Sequence, residues 1–183
     1  GGTRYMPLFF GIQGSLIKLG LSAPVAGLML TCASLLLLGL LTRRLMREWG
    51  ASSQLAWPCL LIATSSISLQ LMGISTKGDL LAAACNVGGL VAGLIWQRTD
   101  RSFWLVITGF AFAAAVMTKF TAGFGFITLL IWLLWQRRWR SGIGLFAVTT
   151  VITTTLVFVS NHLSEGRMAA NFLACASGGL DWR

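Results

Sequence analysis

The feature that most constrains this chain is a succession of apolar runs, each as long as a bilayer crossing or longer, separated by short polar stretches, most of them rich in arginine. A helix needs about 20 predominantly apolar residues to cross a ~30 Å hydrocarbon core. Runs of this kind extend from Pro24 to Leu41, Ser53 to Ile74, Leu80 to Trp96, Phe103 to Trp135 and Ile143 to Ser160. Only 10% of the residues are charged while 56% are hydrophobic. A soluble domain usually carries about 25% charge, so this chain has too little polar surface to coat a globule in water. The roughly ten-residue alternating segments of a membrane β-barrel do not occur. The expected fold class is all-α: a polytopic membrane helical bundle of about six spans plus one interfacial helix.

The interfacial helix is the first apolar run, Pro7 to Leu19. It is short for a span, contains Gln13 and Lys18, and has a proline suited to a first helical turn. Phe103 to Trp135 poses the opposite problem. As one helix it would measure roughly 50 Å, far more than one hydrocarbon core. The spacing therefore predicts two antiparallel spans, 103–118 and 121–135, turning around Lys119 and the glycines at 123 and 125. Pro58 is expected in the first turn of its span.

The charge pattern tests that division. One side of the membrane receives the stretches 42–50, 97–102 and 136–142, with Arg43, Arg44, Arg47, Arg98, Arg101, Arg137, Arg138 and Arg140. The short loops opposite hold Lys77 and Lys119. Short Arg-rich loops belong in the cytoplasm. Without the turn at Lys119, the 136–142 cluster would fall on the wrong side. Membrane orientation thus accounts for the net charge of +9, and nucleic acid is not an expected partner.

The opposite face collects the chemically interesting groups: Arg4 and Tyr5, Lys77 with Asp79, Lys119, and then Asn161, His162 and Glu165. Cations near one carboxylate at membrane depth can hold a phosphate. Each also has a structural reading: Lys77 and Lys119 can anchor helix ends at the interface, and Asp79 suits a helix N-terminus. His162 is the only histidine, and the cysteines at 32, 59, 85 and 175 form no CxxC pair, so a metal site has no support from spacing. Gly89 and Gly93 form a GxxxG, read as close helix packing. The threonines at 149, 150 and 153–155 are expected to satisfy their hydroxyls on their own helix. Gln70 and Asn86 are the amides that a central transport path would use.

The order of these pieces resembles the polyprenyl-phosphate-sugar-dependent membrane glycosyltransferases of the GT-C fold, of the protein O-mannosyltransferase and aminoarabinose-transferase type. The matching stretches are Arg4-Tyr5-Met6-Pro7-Leu8-Phe9-Phe10, the Arg43-Arg44 helix exit, Lys77-Gly78-Asp79-Leu80 opening a small-residue helix, and Met117-Thr118-Lys119-Phe120. The resemblance extends over nearly the whole chain; each motif is loose alone, and Met6 stands where the family often has a second proline. The resemblance implies hexosyl or pentosyl transfer from a polyprenyl-phosphate-linked sugar to a lipid or protein acceptor. It places the protein among membrane lipids in the bacterial inner membrane, as a multi-pass enzyme with its active face outward. It implies Asp79 as a catalytic carboxylate that helps hold a metal or the acceptor, and Arg4, Tyr5, Lys77 and Lys119 as carrier-phosphate ligands. A divalent metal ion is the implied cofactor. The family's first outer loop carries a further acidic residue, and no such residue precedes Gly1. Residues 1–183 are therefore expected to be one transmembrane domain from a longer protein, without its first span, first catalytic loop and C-terminal part. The rival readings are a transporter or flippase-like protein, with polar groups along its centre, and a non-catalytic membrane subunit.

Overall fold

The computed structural model describes residues 7–65 and 78–176. Helix α1 (Pro7–Lys18) begins on its proline and ends before Gly20, whose φ of +99° suits glycine. The chain then enters α2 (Ala23–Glu48), with proline in its first turn, and α3 (Ser53–Ser65). Four apolar helices follow: α4 (Asp79–Thr99), α5 (Ser102–Thr118), α6 (Phe124–Trp135) and α7 (Trp139–Leu163). The last element is α8 (Arg167–Ala176). The fold is an all-α membrane bundle.

Helices α2, α4 and α7 are long and apolar enough to cross a membrane. The expected hairpin is present, with α5 and α6 joined through Lys119–Gly123, but both are shorter, at 17 and 12 residues. At 1.5 Å per residue they measure about 26 and 18 Å. The expected span from Ser53 to Ile74 is described only as far as Ser65; its remainder, with Gln70, lies outside the described residues. Helix α3 starts early enough that Pro58 falls in its second turn, not its first.

The arginine-rich stretches differ from expectation. Residues 42–48 continue α2, residues 97–99 continue α4, and α7 already begins at Trp139. Arginine is a good helix former, and its long side chain reaches polar surroundings while the backbone stays helical. A charge cluster therefore marks the end of the apolar run without ending the helix. Within the semi-polar stretch after the last span, Arg167–Ala176 likewise form a helix, α8.

Helix α4 is the hub, packing on α2, α5 and α6. Of its most apolar window 61% is buried, against 33% for α2 and 17% for α7. Small residues make this possible. A side chain at Gly89 would collide with the Phe112 ring, and one at Gly93 with Leu129. The GxxxG notch thus receives side chains from α5 and α6. Phe112, Leu129, Leu133, Leu145 and Trp96 form the main buried cluster beside it.

The bundle has two chemically distinct ends. At one, Glu48 bridges Arg44 (2.6 Å) and Arg98 (3.0 Å), joining the last turns of α2 and α4, and Arg138 donates to Gln97 Oε1 at 2.5 Å. At the other, α1 meets the start of α4 and the end of α5.

Candidate functional site

Asp79 is the first residue of α4, and Lys119 caps the C-terminus of α5 with extended backbone angles (φ −148°, ψ 118°). Leaving the helix there turns the lysine side chain back over α4, where its ammonium pairs with the Asp79 carboxylate. The pair is partly open, with side-chain exposures of 35% for Lys119 and 17% for Asp79.

Close packing beneath the pair fixes its position. Thr118 is fully buried, Phe9 of α1 is 1% exposed, and Gly78 lies between them. A methyl group on Gly78 would stand 2.9 Å from Thr118 Cγ2 and 3.3 Å from Phe9 Cβ. Thr118 turns its hydroxyl inward to the Ala114 carbonyl at 2.8 Å, leaving its methyl against the glycine.

The segment after Lys119 descends along α4 without being helical, and Asn86 accounts for this. Asn86 lies two turns into α4 and is fully buried. Its Nδ2 donates to the carbonyls of Ala82 and Ala122, both at 2.9 Å, and its Oδ1 accepts the Gly125 amide at 2.8 Å. Non-helical backbone at membrane depth must find partners inside the protein, and one side-chain amide supplies two of them here. Gly125 has to be glycine, because Asn86 and Phe112 occupy the space of a Cβ. A central transport path would use Asn86 as a lining group. Its hydrogen bonds go to backbone instead, and its role in tying the hairpin to α4 was not legible in the sequence.

Of the other residues read from the sequence, Arg4, Tyr5 and Lys77 lie outside the described residues. Glu165 pairs with Arg167 at 3.1 Å, both largely exposed, and His162 stacks on Phe158. Neither joins the Asp79–Lys119 pair. No group of three or more His, Cys, Asp and Glu side chains that could hold a metal occurs among the described residues. A lone carboxylate already facing an ammonium is a poor donor set for a divalent ion, which takes several oxygens.

The threonines of α7 depart from expectation. Six helical threonines elsewhere (31, 42, 99, 108, 118 and 128) each donate to the carbonyl four residues back. The five on α7 make no side-chain hydrogen bond among the described residues, and the Thr149 hydroxyl is buried without a partner. A helical threonine has two accessible χ1 wells, and the bond to a preceding carbonyl requires the matching one. Four of the five line a cleft of about 220 Å³ with Phe112, Val116 and Phe126.

The family model described as glycosyltransferase family 87 matches residues 7–172, from α1 into α8. No curated protein and no solved structure matches the chain. The match bears out the GT-C resemblance and accords with the membrane-helical bundle. The chain belongs to glycosyltransferase family 87, a family of membrane glycosyltransferases.

Proposed function

We propose that this domain transfers a sugar from a polyprenyl-phosphate carrier to a lipid or protein acceptor at the non-cytoplasmic face of a bacterial inner membrane. The observation that carries the reading is the Asp79–Lys119 pair, at the end of the bundle opposite the arginine-rich connections. By the positive-inside rule the arginine-rich end is cytoplasmic, which puts the pair outward.

In the proposed reaction the bond between the anomeric carbon and the carrier phosphate oxygen breaks, and an acceptor oxygen bonds to that carbon. The acceptor proton passes to a base, and the departing phosphate gains negative charge. A fixed cation beside that phosphate stabilises the transition state more than the ground state. Lys119 takes this role, because an ammonium has three N–H donors and can hold a carboxylate and a phosphate oxygen together. Asp79 orients that ammonium and presents its carboxylate to the incoming acceptor. Arg4, Tyr5 and Lys77 are assigned to the carrier phosphate by the resemblance. The described donor set does not fit a divalent ion.

The test is transfer by the full-length protein from radiolabelled polyprenyl-phosphate sugars, comparing the unsubstituted enzyme with Asp79→Asn and Lys119→Ala. Each change is expected to lower kcat by about 10²-fold or more. Full activity of both variants would refute the site. Labelling of single cysteines at 79 and 119 by a membrane-impermeant reagent in intact cells tests the face.

A further inference from the structure

At the arginine-rich end, Arg43 and Arg47 are cations of α2 with no carboxylate partner among the described residues. Glu48, with a side-chain exposure of 5%, takes up Arg44 and Arg98. Arg43 and Arg47 lie one turn apart on a neighbouring face of α2, and neither has an ion pair or side-chain hydrogen bond among the described residues. The Arg43 guanidinium stands 4.0 Å from the centre of the Trp57 ring, and its Nε is buried without an acceptor.

Two like charges at this spacing repel, and a buried N–H without an acceptor is costly. One multi-oxygen anion between the guanidiniums relieves both. The start of α3 at Ser53 adds the positive potential of a helix N-terminus at the same corner. The surroundings are those of a membrane interface. Trp57 is half exposed and Trp49 more so, and tryptophan favours the headgroup level. Leu36 and Leu40, exposed by 70% and 56%, precede Arg43 and Arg47 on the same α2 stripe. An apolar track leading to paired guanidiniums fits an acyl chain followed by a phosphate.

We infer that the α2–α3 corner binds one anionic phospholipid, with its phosphate between Arg43 and Arg47 beside Trp57 and an acyl chain along Leu36 and Leu40. The site is independent of the transfer reaction and lies at the opposite end of the bundle.

Native mass spectrometry of the full-length protein, titrated with phosphatidylglycerol or phosphatidylcholine of matched chains, tests it. Arg43→Lys and Arg47→Lys keep the charge that sets orientation but lose the planar guanidinium fork. The double variant is expected to bind phosphatidylglycerol roughly five- to tenfold more weakly. Arg140→Lys, a basic residue in the first turn of α7, should leave binding unchanged. Arg47 is exposed, so Arg47→Lys alone folds and should show a smaller loss of the same sign. Equal binding of the two lipids by the unsubstituted protein, or unaltered phosphatidylglycerol binding by Arg47→Lys and the double variant, overturns the inference.

Discussion

Lys119 reaches Asp79 across forty positions of sequence because α5 ends one residue before the lysine and α4 begins on the aspartate. Each residue sits at a helix terminus, where backbone direction changes and a side chain can cross to a neighbouring helix. The pair joins the central helix to the hairpin that follows it.

Its partial exposure separates function from stability. A half-buried ion pair contributes about 1–2 kcal/mol, between the solvated and the fully buried cases. Asp79→Asn and Lys119→Ala should therefore lower the midpoint of thermal unfolding in detergent by only a few degrees, while transfer activity falls steeply. Loss of activity in step with loss of folded protein would mark the pair as structural only.

Asn86 should behave in the opposite way. Removing its amide leaves the Ala122 carbonyl and the Gly125 amide buried without their partner. An unsatisfied buried group costs about 1–3 kcal/mol, so Asn86→Ala is expected to destabilise by roughly 2–4 kcal/mol. Gly125→Ala should cost a similar amount by displacing the same amide. Both are read from thermal or denaturant unfolding in a fixed detergent, and an unchanged midpoint would mean the latch is dispensable.

The threonine contrast gives a third expectation. Thr149→Val removes a buried hydroxyl that has no partner and keeps the side-chain shape. It should be neutral or stabilise by up to ~1 kcal/mol. Thr108→Val removes a hydroxyl bonded at 2.7 Å to the Trp104 carbonyl and should cost about 0.5–1 kcal/mol. Paired unfolding curves of the two variants decide it; the same sign for both would contradict the assigned hydrogen bonds.

Glu48 provides the fourth. Its buried carboxylate holds two arginines from different helices. Glu48→Gln leaves two cations without their counter-charge, and the half-exposed guanidiniums limit the damage. A loss of about 1–2 kcal/mol is expected, below the 3–5 kcal/mol typical of a fully buried pair. The same unfolding assay in detergent measures it, and a stability equal to wild type would show that the two arginines are satisfied by solvent.

Hydropathy and charge determined the coarse design of this protein: apolar rods, a break near Lys119, and arginines gathered at one end. Those properties follow from transfer free energy, which each residue carries wherever its neighbours lie. The placement of Asp79 and Lys119 at the same end was legible for that reason. The extension of α2 through Arg43 and Arg44 was not, because a hydropathy profile records where the apolar run stops and not where helical hydrogen bonding stops. Nor were the atoms that meet decided by sequence. The grip of Asn86 on Ala122 and Gly125, the Trp57 ring against Arg43, the sharing of Glu48 and the unpartnered Thr149 all depend on how each helix is rotated about its axis and set against its neighbours. Those quantities arise from packing of the whole bundle, and only the tertiary structure decides them.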